Sequence, residues 1–139
     1  RVYEAAVCAS PARVYLDNKL IPVENLEQLM HMYLPTKTEA ASSAAQVVSG
    51  SFGPRWHVGV CASSLDGFSH VSFVNGISTP RGGSHVSHVI SALLKMLAPL
   101  LARKIGVDEA ELPPARVKPH LMLFVSALVD NPEFDSQSK

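Results

Sequence analysis

Two stretches of this 139-residue chain bring together side chains whose types and spacing suit chemistry. The first, Phe73-Val74-Asn75-Gly76-Ile77-Ser78-Thr79-Pro80-Arg81-Gly82-Gly83-Ser84-His85-Val86, reads as a strand that runs through a glycine pair into a helix. A turn of that kind can cradle an anion, because backbone N–H groups converge there on the positive end of the helix. It lacks both the G-x-G-x-x-G spacing and a Walker lysine, so a tight turn followed by a helix cap is the better account. The second stretch, Asn131-Pro132-Glu133-Phe134-Asp135-Ser136-Gln137-Ser138-Lys139, is polar and loop-like. It sets the amide of Gln137, the hydroxyl of Ser138 and the ammonium of Lys139 side by side. All three suit phosphate oxygens: amide and hydroxyl donate directionally, and lysine adds a compact positive charge. By composition alone such a stretch is most often a solvated tail.

The remaining candidates are weaker. His85 and His88 stand at i, i+3 on one helix, a spacing that can bring two imidazoles to one metal, but no Cys, Asp or Glu sits at a matching position, and no metal site is expected. His31, His57, His70 and His120 are scattered, and no G-x-S-x-G elbow supplies a nucleophile, so hydrolysis by this chain alone is not expected. Arg103-Lys104 could touch DNA phosphate at the end of the long helix. Complementing the helix dipole is the preferred role, because Asp108, Glu109 and Glu111 follow at once.

These residues need a scaffold, and hydrophobic periodicity outlines one. Tyr3, Val7 and nearby alanines read as the tail of a helix over 1–8. Val14, Leu16 and Leu20 flank the turn-prone pair Asp17-Asn18 in a short β segment. Leu26, Leu29, Met30 and Tyr33 repeat with helical spacing, and Pro35 ends that helix. Thr36 to Pro54, rich in Ala, Ser and Gly, reads as a poorly specified connection. Arg55 to Ala62 alternates like a strand, and Val71, Phe73 and Ile77 resume one after Ser63-Ser64-Leu65-Asp66-Gly67, which predicts a hairpin. Ser84 is the expected N-cap of a long helix with a stripe of Val86, Val89, Ile90, Leu93, Leu94, Leu97 and Leu101, kinked or broken at Pro99. An acidic, proline-bearing loop over 107–115 precedes His120 to Val129, a run apolar on both alternating faces. That pattern suits a strand covered on both sides, with a helix as the alternative. The expected fold is α/β of mixed character, a mixed sheet backed by helices in a single domain over 1–139.

Composition narrows the class. Lys plus Arg and Asp plus Glu each total 12, so the whole-chain field neither attracts nor repels nucleic acid strongly, and any DNA contact must be local. Cys8 and Cys61 form no C-x-x-C pair or framework, which predicts free thiols without a disulfide. The longest apolar run, Leu121 to Val129, is shorter than the roughly 20 residues of a membrane helix, and the N-terminus lacks a signal-peptide stretch. A soluble intracellular domain without membrane contact is expected. Both ends read as cut from a longer chain.

At the two stretches described first, the sequence resembles the type IIA DNA topoisomerases, in the second half of their ATPase region. That family has a Phe-Val-Asn-x-Ile-x-Thr-x-x-Gly-Gly-x-His-Val motif, matched from Phe73 to Val86. It also has an Asn-Pro-x-Phe-Asp-Ser-Gln-Thr-Lys motif, matched from Asn131 to Lys139 except that Ser138 stands for Thr and keeps the hydroxyl. Similarity extends through Arg1-Val2-Tyr3, Met32-Tyr33-Leu34, Arg55-Trp56 and Val117-Lys118, and the last motif and the Arg-Trp strand resemble the eukaryotic enzyme more than bacterial gyrase.

The resemblance implies a transducer domain, an α/β fold with a left-handed βαβ crossover where pattern reading alone defaults to a right-handed one. In the family a Gln-Thr-Lys loop reaches into the ATP pocket of the preceding domain, and its lysine contacts the γ-phosphate. Gln137, Ser138 and Lys139 occupy those positions as ATP-binding residues, Lys139 being the catalytic contact. An ammonium–phosphate bond of about 1.5–3 kcal/mol, present with the triphosphate and weakened when phosphate leaves, can bias two domain orientations by about ten- to a hundredfold. The water-activating glutamate, the Mg2+ ligand and the DNA-cleaving tyrosine of the family belong to other segments, so this chain supplies no Mg2+ ligand and is not expected to be active alone. The implied partners are the preceding ATP-binding domain, the following DNA-cleavage core, DNA, and a second copy of the full enzyme. The implied address is the nucleus, or else an organelle. Where some members carry a lysine-rich DNA-sensing loop, this chain reads Arg103-Lys104-Ile105. Two competing readings are a nucleic-acid-binding module of related fold, with Arg103, Lys104, Arg116 and Lys118 as its footprint, and a self-contained small-molecule kinase.

Overall fold

The computed structural model describes residues 2–34, 47–63 and 66–134. Its N-terminal elements form by local rules. Helix α1 (Val2–Cys8) buries Ala6. Strands β1 (Tyr15–Leu16) and β2 (Lys19–Leu20) pair across Asp17 and Asn18, whose φ of 48° and 61° make the left-handed two-residue turn that the right-handed strand twist favours. Helix α2 (Leu26–Tyr33) begins at Asn25, whose side chain accepts from Gln28 N at 2.9 Å, while Gln28 Oε1 accepts from Glu24 N at 2.8 Å. One backbone donor that the helix leaves free, Gln28 N, is thereby satisfied, together with the N–H of Glu24 just before the cap. Leu34 is extended, with ψ 143°, as the residue before a proline is forced to be.

The remaining strands form one sheet in the order β3-β4-β7-β5-β6: β3 (Val48–Phe52), β4 (Trp56–Ala62), β5 (Ser69–Val74), β6 (Ile77–Ser78) and β7 (Leu121–Ala127). Strand β7 is antiparallel to β4 and parallel to β5, so β5, helix α3 (Ser84–Ile105) and β7 make a βαβ unit. Helices cover both sheet faces. On one, Met122, Phe124, Phe73 and Cys61 pack with Ala6 of α1 and with Leu26, Leu29 and Met30 of α2. On the other, Leu123, Val125 and Ala127 pack with Val86, Ile90, Leu94 and Ala98 of α3 and Val117 of the short helix α4 (Pro114–Val117). The run from Leu121 is thus a strand covered on both sides. Phe124 and its neighbours Leu123 and Val125 have no exposed surface. Gly59 of β4 lets α2 come close: a Cβ there would lie 2.2 Å from Met30 Sδ. Cys8 and Cys61 are free thiols, both pushed up from the usual thiol range by burial, Cys8 also by the Glu4 carboxylate.

Five local expectations need correction. Residues 48–52, inside the expected connection over 36–54, form edge strand β3. All five are exposed and only Val48 and Phe52 are large and apolar, so no hydrophobic pattern marks the strand; residues 36–46 lie outside the described residues. Strands β4 and β5 are not a hairpin, because doubly apolar β7 inserts between them. The hairpins are β3–β4 and β5–β6. Ile77 lies past the Asn75-Gly76 turn, in β6 rather than in one strand with Val71 and Phe73. The cap of α3 is Gly83, at φ 150°, with Ser84 already inside the helix and no side-chain cap bond. Of the kink or break expected at Pro99, the break does not occur: α3 runs on to Ile105. The carbonyl that Pro99 leaves without a partner belongs to Lys95, an exposed position where water can take it up. By length and composition α3 could cross a membrane, but its apolar stripe is the one seated on the sheet.

Candidate functional site

The exit of β7 is held from both sides. Asn75 and Gly76, at φ 50° and 78°, form the tight turn between β5 and β6. From that turn the Asn75 backbone N–H donates to Ala127 O at 2.9 Å. Its side-chain Nδ2 donates to Val129 O at 2.9 Å, and its Oδ1 accepts from Val129 N at 2.8 Å. From the β4 side, Arg55 O accepts from Leu128 N at 2.8 Å, and the Arg55 guanidinium pairs with Asp130. That ion pair is exposed at both ends and so contributes little stability. Asn131 then takes φ 49° and turns the chain away. The first motif stretch thus holds the backbone that leads into the second: Asn75 grips Val129, two residues before Asn131. Gln137, Ser138 and Lys139 themselves lie outside the described residues, which end at the exposed Phe134.

The rest of the first motif forms a polar chain beneath the glycine turn. Ser72 Oγ, in a buried residue of β5, lies 2.7 Å from Thr79 Oγ1, and Thr79 Oγ1 lies 3.0 Å from His85 Nε2 in the first turn of α3. Burial, and then the neighbouring His70, holds the His85 imidazole below the usual histidine range. The turn itself is filled. Gly82 N donates to Thr79 O at 2.9 Å, and a Cβ on Gly82 (φ 75°) would sit 3.2 Å from His70 Nε2. The glycine pair therefore accommodates two histidines and a close backbone, which agrees with a packed turn better than with an anion cradle. His88 is exposed while His85 bonds to Thr79, and among the described residues no group of three or more His, Cys, Asp or Glu converges.

Arg103 and Lys104 are exposed in the last turn of α3, which closes at Gly106 (φ 75°) with Gly106 N donating to Ala102 O at 2.9 Å. Of the other two cations in the competing nucleic-acid footprint, Arg116 donates to Glu111 O at 2.9 Å and Lys118 Nζ lies 5.0 Å from the centre of the Phe68 ring. Both are engaged with the protein's own surface. Sequence reading does not foresee the bonds from Asn75 to Val129. The available signal is the Asn75-Gly76 dipeptide, a strong hairpin marker that separates β5 from β6.

Comparison with known proteins places this geometry. The chain is 34% identical over all 139 residues to DNA topoisomerase 2-alpha of Cricetulus griseus, and equally to DNA topoisomerase 2 of Drosophila melanogaster. It spans only 9% and 10% of the length of those relatives. Among solved structures, the ATPase and transducer domains of DNA topoisomerase II from Balamuthia mandrillaris superpose with a TM-score of 0.80 at 32% identity, over 98% of this chain and 32% of that one. The ATPase region of Saccharomyces cerevisiae topoisomerase II gives 0.74 at 26% identity, with the same coverage. A protein-family model described as DNA gyrase B matches residues 23–139. That match takes in the whole sheet, α3 and both motif stretches, and the chain belongs to the DNA gyrase B family.

Proposed function

We propose that this chain is the transducer of an ATP-dependent type II DNA topoisomerase, coupling ATP binding and hydrolysis in an adjoining domain to movement of a DNA gate and passage of a duplex. The observation that carries the reading is at the exit of β7, where Asn75 of the first motif and Arg55 hold the backbone at Leu128 and Val129, just before the second motif begins. In this reading Gln137 and Ser138 donate to phosphate oxygens, and Lys139 is the catalytic contact to the γ-phosphate. Strand β7 lies between β4 and β5 and is packed on both faces, so a pull on the segment after Asn131 reaches the rest of the sheet rather than a loose tail.

The family likeness to ATPase-region structures supports ATP as the nucleotide of the whole enzyme. Mg2+ would be bound by other segments of the whole enzyme. The whole enzyme would act as a homodimer in the nucleus, and its partners would be DNA, the ATP-binding domain before this segment and the cleavage core after it. The test is Lys139→Ala in the full-length enzyme. ATP hydrolysis and strand passage should both fall substantially, and unchanged ATPase activity would remove the sensor role.

A further inference from the structure

The choice of asparagine at position 75 asks for more than a turn. A left-handed first residue in a two-residue hairpin is met at least as well by glycine, so the turn alone does not require an amide. Yet both ends of this amide are used, and on one residue: Nδ2 donates to Val129 O and Oδ1 accepts from Val129 N. Aspartate would keep the acceptor and lose the donor, and glycine would lose both. Position 75 therefore combines a left-handed backbone with two-point recognition of the backbone of one residue, Val129, beyond the end of β7.

We infer that Asn75 is a positioning residue for the segment that begins at Asn131, fixing the backbone at Val129 from which that segment departs. Val129 is the last residue gripped through both its backbone groups before the turn at Asn131. The grip comes from the β5–β6 turn, and β5 is tied through Ser72, Thr79 and His85 to the first turn of α3. Two parts of the fold are thus joined at one amide: the strand that carries the loop, and the turn and helix that lie between β5 and β7. The inference rests on the reading of Lys139 as the phosphate contact.

The experiment uses the full-length enzyme with Asn75→Gly, Lys139→Ala and the double variant, and reads steady-state ATP hydrolysis, thermal unfolding and hydrogen exchange over 127–134. Asn75→Gly keeps the left-handed turn and should leave the unfolding temperature nearly unchanged. Exchange at the Val129 amide should rise about tenfold, the loss expected for an exposed pair of bonds. ATP hydrolysis should fall, and the fall should not add to that of Lys139→Ala, because Asn75 acts through Lys139. Asn75→Asp, which keeps the acceptor for Val129 N but cannot donate to Val129 O, should raise exchange at the Val129 amide less than Asn75→Gly while still lowering hydrolysis. Losses that multiply in the double variant, or unchanged hydrolysis in Asn75→Gly beside a clear loss in Lys139→Ala, would overturn the role of Asn75 and leave the Lys139 reading intact. Unchanged hydrolysis in Lys139→Ala would overturn both.

Discussion

Asn75 and Val129, 54 residues apart in sequence, exchange two hydrogen bonds of 2.9 and 2.8 Å, so that one side-chain amide takes the place of a neighbouring strand. The pair lies just beyond the register of β5 against β7, whose last partners are Val74 and Ala127. It prolongs that ladder by one residue after the backbone of β5 has already turned away. The pair thereby holds Val129 to the sheet between the exposed Leu128 and Asp130.

Phe124 is the centre of one core face, fully buried and edge-on to the Tyr33 ring at 5.6 Å between centroids. Phe124→Ala should reduce stability by about 3–5 kcal/mol, from lost transfer energy and the cavity left behind. Chemical denaturation would show it as a lowered midpoint at nearly unchanged slope.

At Gly59 the absent side chain is the structural feature. A methyl group there would lie within 2.3 Å of both Sδ and Cε of Met30, which is itself fully buried and has little room to swing aside. Gly59→Ala should cost about 1–3 kcal/mol. Combined with Met30→Ala, its effect should be less than additive, because the shortened partner no longer occupies the space. A double-mutant cycle on unfolding free energies would measure this.

Burial, and then the neighbouring His70, holds His85 below the usual histidine value of about 6.5. A base with a lowered folded pKa binds fewer protons folded than unfolded, so its stabilising contribution is full above about pH 6.5. That contribution is lost as pH falls from there through the folded value. The thermal midpoint should therefore drop on acidification below neutrality, and His85→Gln should flatten that part of the profile.

Arg103 and Lys104 sit where cations complement the negative end of α3. Replacing both with Ala should cost about 1 kcal/mol or less in low salt, with the difference shrinking as salt is added. If their role is confined to the helix end, the salt dependence of duplex binding by the full-length enzyme should keep its slope. A slope reduced by about one or two units would make them phosphate contacts instead.

The elements legible in the sequence are those whose burial imposes a period. The stripe on α3, the spacing of Leu26, Leu29, Met30 and Tyr33, and the double apolar character of Leu121–Ala127 each report the surface they pack against. Strand β3 is illegible because it packs nothing: its five residues are exposed and its order comes from backbone bonds to β4. The strand order is illegible for a different reason. Local turn residues such as Asp66-Gly67 favour pairing of sequence neighbours, while the position of β7 is fixed by long-range burial on two faces, which no short window contains. The same holds at the candidate site. Asn75 and Asn131 both stand out by motif, but the bonds from Asn75 to Val129 depend on β5 and β7 being neighbours.

The central place of β7 has a consequence for synthesis. Strands β3 and β4 can pair as soon as they are made, and so can β5 and β6, but the two hairpins share no ladder with each other. They become one sheet only when residues 121–127, more than forty positions further along, slide between them. Until that stretch has left the ribosome, the inner edges of β4 and β5 are open and the apolar faces of α2 and α3 lack their common floor. The nascent chain therefore reaches closure late, and chaperone protection during that interval should matter more here than for a domain whose strands pair in the order they are made.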